Sequence, residues 1–262
     1  MDLSISNIAW NPENDATVYG LMRKHGFSGL EIAPTRIFPE NPYDRLFYAI
    51  EWSRGLRADY GFSIPSIQSI WYGKQEKLFG TEEERQALLE YTKKAIDFAE
   101  AISCSNLVFG CPRNRFMPEG TDPEIALMFF KIIGDYAYAH GTSIGMEANP
   151  PIYNTNYVND TQTALKLIKS VDSKGFRLNL DIGTMLYNHE AISVLTGNVK
   201  YISHIHISEP SLKPIEKREL HKQLRDVLKE EDYKGFVSIE MGKTDSIDTI
   251  DRIMDYVKEV LG

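Results

Sequence analysis

Short apolar runs and longer amphipathic stretches alternate along the chain. Strand-like runs occupy Leu3–Trp10, Gly29–Pro34, Ser63–Tyr72, Asn106–Pro112, Ser143–Pro150, Phe176–Gly183, Ile202–Pro210 and Phe236–Met241. Between them the hydrophobic period lengthens to that of a helix. In Glu82–Ile102, for example, Leu88, Leu89, Ala95, Ile96, Ala99 and Ile102 share one face, and Glu82–Arg85, Glu90, Lys93 and Lys94 take the other. Asp160 and Ser246 stand where N-caps belong, before Thr163–Val171 and Ile247–Leu261. Glycines at 26, 61, 141, 175 and 235 follow helical stretches, where a left-handed C-terminal residue is expected.

Eight strand–helix units in 262 residues predict an α/β fold, a single (β/α)8 TIM barrel with residues 1–262 as one domain. An open doubly wound sheet is the alternative. It calls for a glycine-rich loop after an early strand, where this chain has Asn11-Pro12-Glu13-Asn14.

The late strands alternate with a period of two. Ile144, Met146 and Ala148 interleave with Gly145, Glu147 and Asn149. Leu178, Leu180 and Ile182 interleave with Asn179 and Asp181. Ile205 and Ile207 separate His204, His206 and Ser208, and Val237, Ile239 and Met241 alternate with Ser238 and Glu240. The outward face of a barrel lies under helices and is apolar, so the polar set points inward. Glu147, Asp181, His206 and Glu240 fall near the C-terminal ends of their strands, where barrel active sites are built. Singly, each has a structural reading: Asp181 as a helix cap, His206 as a satisfied core histidine, Glu147 or Glu240 as a partner for lysine. Together, three converging carboxylates repel unless a cation neutralises them. An oxygen-rich set with one imidazole suits one divalent metal ion (Mn2+, Mg2+ or Co2+), and Zn2+ is compatible.

Composition narrows the classes. With 42% hydrophobic and 25% charged residues, the chain has a globular rather than a disordered balance. No apolar run is long enough to span a bilayer and the start lacks a signal-peptide pattern, so a soluble, cytoplasmic protein without membrane partners is expected. Cys104 and Cys111 are too few for a disulfide framework and are read as free, unreactive thiols. A net charge of −8 disfavours nucleic acid as a partner.

Met146-Glu147-Ala148-Asn149-Pro150, Asn179-Leu180-Asp181-Ile182-Gly183, His204-Ile205-His206-Ile207-Ser208 and Ser238-Ile239-Glu240-Met241 resemble the xylose isomerase-like barrel superfamily. That group holds sugar and sugar-phosphate isomerases and epimerases together with endonuclease IV. The resemblance covers the whole chain through strand order as well as motifs. It implies one metal ion held by Glu147, Asp181, His206 and Glu240. It also implies Glu147 and Glu240 as the catalytic pair, moving a proton through an enediolate. The implied activity is a divalent-metal-dependent isomerase or epimerase of a sugar, a sugar phosphate or a related polyol.

Three positions depart from the ketose 3-epimerases of that group. Thr184 stands where they carry a histidine after the metal aspartate, Tyr153 where they carry a glutamate, and Leu212 where they carry an arginine. The metal core is intact, but the substrate shifts away from the best-known ketoses. A keto-polyol dehydratase using the same enolisation is an alternative, as is a non-catalytic metal- and sugar-binding barrel. Endonuclease-like cleavage of DNA is disfavoured, because it needs further histidine ligands and the chain has six histidines in all.

Substrate contacts are expected from Glu31, Gln68, Arg113, Asn149, His204 and Lys243. Arg113 and Arg115, beside the proline-fixed turn in Cys111-Pro112-Arg113-Asn114-Arg115, are the candidates for gripping a substrate anion, with a solvated surface loop as the structural reading. His204, one layer below His206, reads rather as a support than as a ligand. His221 opens the seventh helix and is placed near the mouth. Trp10 and Trp71 are read as core packing more than as a sugar-stacking wall. A homo-oligomer is left open.

Overall fold

The computed structural model describes residues 1–262. Eight parallel strands form the wall: β1 (Asp2–Ser6), β2 (Gly29–Glu31), β3 (Ser66–Ile67), β4 (Asn106–Phe109), β5 (Ile144–Glu147), β6 (Phe176–Asp181), β7 (Ile202–Ile207) and β8 (Phe236–Ile239). Their order is β2-β1-β8-β7-β6-β5-β4-β3. Isolated parallel bridges, Gly29 with Ser63 and Ile32 with Ile67, close the ring between β2 and β3. This is the predicted α/β barrel.

Around it lie α1 (Asp15–His25), α2 (Pro34–Ile37), α3 (Leu46–Tyr60), α4 (Glu82–Ala101), α5 (Glu124–Ala139), α6 (Thr161–Val171), α7 (Ile182–Asn188), α8 (Glu219–Glu230) and α9 (Ile247–Leu261). The outward residues of the late strands, among them Met146, Leu178, Leu180, Ile205, Ile207, Val237 and Ile239, are buried beneath these helices. Burying such side chains stabilises the fold by roughly 1.5–3 kcal/mol each.

The strands are shorter than the apolar runs that announce them. Pro65 has no N–H to give a ladder and Ser69 turns left-handed (φ 57°), so the run over 63–72 leaves only Ser66–Ile67. The first run ends at Ser6 because Asn7–Ala9 winds into a 3-10 turn. There the Asn7 side chain accepts from Ala33 N at 2.9 Å and ties the end of β1 to the loop after β2.

Caps fix the helix starts. Asp160 and Ser246 cap α6 and α9 through the N–H groups of Thr163 and Thr249. Thr81 and Glu84 form a reciprocal capping box at α4, satisfying two otherwise orphaned donors. Gly26, Gly61 and Gly141 are left-handed as expected. After α6 and α8, however, the left-handed residues are Asp172 and Asp232 rather than Gly175 and Gly235. Gly175 serves space instead: a Cβ there would lie 2.2 Å from Gly134 O and 2.7 Å from Tyr138 N.

Trp10 and Trp71 are core residues. Their Nε1–H groups donate to Asp15 Oδ1 at 2.7 Å and Thr92 Oγ1 at 2.8 Å, so neither ring is offered to a ligand. His221 is buried against Tyr256 OH at 2.9 Å, away from the mouth, and burial lowers its pKa to about 4. The two cysteines are free, and burial pushes the Cys111 thiol up to about 12, which disfavours the thiolate.

Candidate metal centre and active site

Parallel register brings the inward polar residues into layers. Asp181 pairs with His206 across β6 and β7, and Asn179 pairs with His204 one layer lower. Glu147 pairs with Asn179. A bulge between Leu178 and Asn179 sets this alignment, since a one-residue slip would turn the carboxylate outward. Glu240 directly follows β8, and its N–H donates to Ile207 O at 2.9 Å.

The result is convergence. Glu147, Asp181, His206 and Glu240 each bring a ligand atom to within 4.8 Å of the others. His206 Nδ1 lies 3.0 Å from Glu147 Oε1 and 3.2 Å from Glu240 Oε2. Asp181 also caps α7: its Oδ2 accepts from Thr184 N and Thr184 Oγ1, both at 2.7 Å, while Oδ1 meets Ser208 Oγ. The cap and the inward carboxylate are one residue. No lysine pairs with Glu147 or Glu240; their charged partner is His206.

Electrostatics set what this cluster can hold. Burial, then repulsion from Glu147 and Asp181, raises the Glu240 pKa to about 7 against the pull of His206. Burial and Glu147 raise Asp181 to about 6. Burial opposes charge on His206, yet Glu240 and Glu31 hold its pKa well above the ordinary imidazole value. Three carboxylates, two of them with raised pKa values, and one imidazole form a donor set that fits a divalent metal ion. Gly110 leaves room for the first of them, since a Cβ there would stand 2.8 Å from Glu147 Oε2.

The carboxylates open on a cleft of about 120 Å³ lined by Pro112, Glu147, Asn149, Tyr153, Asp181, Ser208, Glu209, Leu212 and Glu240. Among the expected substrate contacts, only Asn149 lines it, and its Nδ2 donates to Glu147 Oε2 at 2.9 Å. Glu31, Gln68 and His204 are buried, lie outside the lining of the cleft, and are joined through Glu31, which contacts Gln68, His204 and His206. Arg113 and Lys243 are exposed and lie outside the lining. Within the same loop it is Arg115, not Arg113, that turns inward.

Arg115 takes a role that sequence reasoning did not give it. Fully buried, it donates to Glu147 O at 2.8 Å, Asn149 Oδ1 at 2.9 Å and Phe109 O at 3.3 Å. Burial lowers its pKa to about 10, so it remains a cation. An arginine in a polar loop reads as solvated, and only its inward turn shows otherwise. Tyr153 was noted only as a departure. Its hydroxyl accepts from Ser211 N at 2.8 Å, joining two loops across the cleft. The turn it holds carries two left-handed non-glycine residues, Ser211 (φ 62°) and Leu212 (φ 53°).

A family model described as xylose isomerase-like TIM barrel matches residues 20–260. The chain belongs to this family. Among solved structures, the 3-keto-D-glucoside 4-epimerase of E. coli superimposes with a TM-score of 0.77 at 18% identity, over 99% of this chain and 98% of that one. The D-psicose 3-epimerase of Clostridium cellulolyticum H10, solved with D-tagatose, gives 0.78 at 17% identity over 100% and 99%. The IOLI protein with a binding zinc atom gives 0.73 at 16% identity over 99% and 96%. At these identities the likeness is one of fold. No curated protein matches the chain in sequence. No helix is long and apolar enough to cross a membrane.

Proposed function

We propose that this member of the xylose isomerase-like barrels is a divalent-metal-dependent isomerase or epimerase of a neutral sugar or polyol. The observation that carries the reading is the meeting of Glu147 and Glu240 at one imidazole nitrogen of His206, 3.0 and 3.2 Å away, on the wall of a polar cleft. Two carboxylates on one cleft give a proton acceptor and a proton donor for the same substrate carbon. The sugar epimerases among the structural neighbours support the same chemistry.

Glu147, Asp181, His206 and Glu240 would hold the cation. When bound, it supplies charge compensation for the carboxylates and polarises a substrate carbonyl. One glutamate takes the proton from the adjacent carbon to give an enediolate. The other returns a proton, to the opposite face for an epimer or to the neighbouring carbon for an isomer, where the hydroxyl proton also passes from one enediolate oxygen to the other. Asn149 and Asn179 steer Glu147, donating to its Oε2 at 2.9 Å and its Oε1 at 3.0 Å. Both amides thereby hold the carboxylate plane while a proton moves.

The lining supports a neutral substrate. It contains four carboxylates and neither lysine nor arginine. Glu209 is spoken for by Arg218, which donates Nε and Nη2 at 3.0 and 2.8 Å. A phosphate would meet negative charge with no cationic side chain to receive it.

The test is carbon-bound proton exchange with D2O, followed by NMR, for Mn2+-loaded protein and a panel of neutral ketoses and their phosphates. Exchange and a new epimer or isomer are expected with a neutral sugar. Glu147→Gln and Glu240→Gln should each lower the rate about 10²–10⁴-fold. No exchange with any sugar would end the proposal, and a deoxy product with loss of water would move the protein to the dehydratases.

A further inference from the structure

Below the cluster lies a buried carboxylate that the proton transfer does not use. Glu31 ends β2 with no exposed surface. Its Oε2 lies 2.8 Å from His206 Nε2 and 3.1 Å from His204 Nε2. Its Oε1 accepts from Gln68 Nε2 at 3.2 Å, and Gln68 is itself anchored on Ser6 Oγ at 2.6 Å. His206 thus has carboxylates at both ring nitrogens: Glu31 at Nε2, Glu147 and Glu240 at Nδ1.

The chemistry of imidazole decides between the two faces. A histidine that gives one nitrogen to a cation carries its proton on the other. A carboxylate oxygen accepts hydrogen bonds, so with Nδ1 given to a cation among Glu147, Asp181 and Glu240, Nε2 is the N–H, and Glu31 Oε2 stands 2.8 Å from it. Glu31 is placed to accept: its Oε2 faces two imidazole Nε2 atoms and its Oε1 faces the Gln68 amide N–H.

We propose that Glu31 is a positioning residue. By accepting the Nε2–H of His206, it turns the bare Nδ1 toward a cation shared with Glu147, Asp181 and Glu240. The proposal rests on the metal-binding part of the reading above and is independent of which sugar is used. His204 braces the same oxygen from the side, with its Nε2 also 2.8 Å from Ser238 Oγ. Gln68 braces the other oxygen. The carboxylate therefore cannot swivel without breaking three contacts.

Glu31, His204 and His206 are also close enough together to be taken for a second cation site. The geometry favours protons there. Both Nε2 atoms stand at hydrogen-bond distance from one oxygen, and His206 would have to give both of its nitrogens to metals.

Zn2+ is the probe, because it is diamagnetic and its binding is measurable without turnover. In 15N NMR of the Zn2+-loaded protein, His206 is expected to show a protonated Nε2 and a metallated Nδ1. Chelator competition should find one ion per chain, and Glu31→Gln should weaken binding about 10–100-fold. Glu31→Asp, with a carboxylate but a shorter reach, should recover part of the loss. A metallated Nε2, two ions per chain, or a Glu31→Gln protein that binds Zn2+ like the parent would each overturn the proposal. The NMR assignment on the unaltered chain decides it even where the variants do not fold. A chain that binds no Zn2+ would remove this proposal and the metal reading together. Tight binding unaffected by Glu31→Gln would remove this one alone.

Discussion

Arg115 Nη1 donates to the main-chain carbonyl of Glu147 at 2.8 Å, from a guanidinium with no exposed surface. A loop after β4 thereby holds the end of β5 by its backbone. It also holds the Asn149 amide that in turn donates to the Glu147 carboxylate. Replacing Arg115 by Met should leave three carbonyl and amide oxygens without their donor, costing about 3 kcal/mol or more. Lysine should recover little, because one ammonium does not reproduce a planar fork. Urea unfolding of the metal-free proteins measures the first effect. Divalent-ion affinity of the folded Arg115→Lys protein measures its reach into the site.

Two glycine substitutions should part stability from function. In Gly110→Ala the new methyl meets only the tip of Glu147, 2.8 Å away, and Gly110 is not left-handed. Folding should change by less than about 1 kcal/mol, while metal affinity falls because the carboxylate is displaced. In Gly175→Ala the methyl meets the backbone of α5 at 2.2 and 2.7 Å. That protein should lose about 1–3 kcal/mol, with metal affinity in the folded fraction unchanged. Paired urea melts and metal titrations check both.

Stability of the metal-free chain should fall as pH rises from about 4.5 to 7. Glu240 moves from 4.5 to about 7 and Asp181 from 3.8 to about 6 on folding. The folded state then binds more protons than the unfolded one across that range, so their contribution is present at low pH and lost on the way up. The same protons compete with a cation, so divalent-ion affinity should rise over that range. Asp181→Asn should flatten the slope and raise metal-free stability at pH 8 on the order of 1 kcal/mol, since asparagine keeps the cap on α7. Its metal affinity should collapse. Thermal melts across pH, with and without chelator, decide the sign.

Tyr153→Phe deprives Ser211 N of its acceptor and frees a turn with two left-handed residues, Ser211 and Leu212. Leu212 lines the cleft, so KM for the sugar should rise several-fold. The rate at saturation and the metal affinity should change less, because the Tyr153 hydroxyl is bonded to Ser211 N and not to a cation ligand. Steady-state kinetics beside a metal titration separate these outcomes.

The barrel was legible because period-two alternation and helical periodicity follow one another along the whole chain, and glycines or caps mark the changes. The four convergent residues were legible for the same reason: alternation places Glu147, Asp181, His206 and Glu240 on one face whatever the loops do. Strand length was not, since Pro65 and the left-handed Ser69 end β3 through backbone constraints that hydrophobicity does not encode. Nor was depth. Glu31, Gln68 and His204 point inward as expected, but alternation gives a face and not a layer, and they lie under the site rather than in it. Arg113 and Arg115 are two residues apart in one loop, and only tertiary packing decides which of them turns inward.

β2 is joined to β1 by a regular ladder, and to the segment over 63–68 by four main-chain hydrogen bonds around the bridges at Gly29 and Ile32. The stave that bears Glu31 thus has continuous pairing on one flank and interrupted pairing on the other. Amide exchange should be quickest at this joint among the staves of the wall, and each opening there carries away the brace behind the imidazole. The grip on a cation would slacken by local breathing of the second stave well before the protein as a whole unfolds.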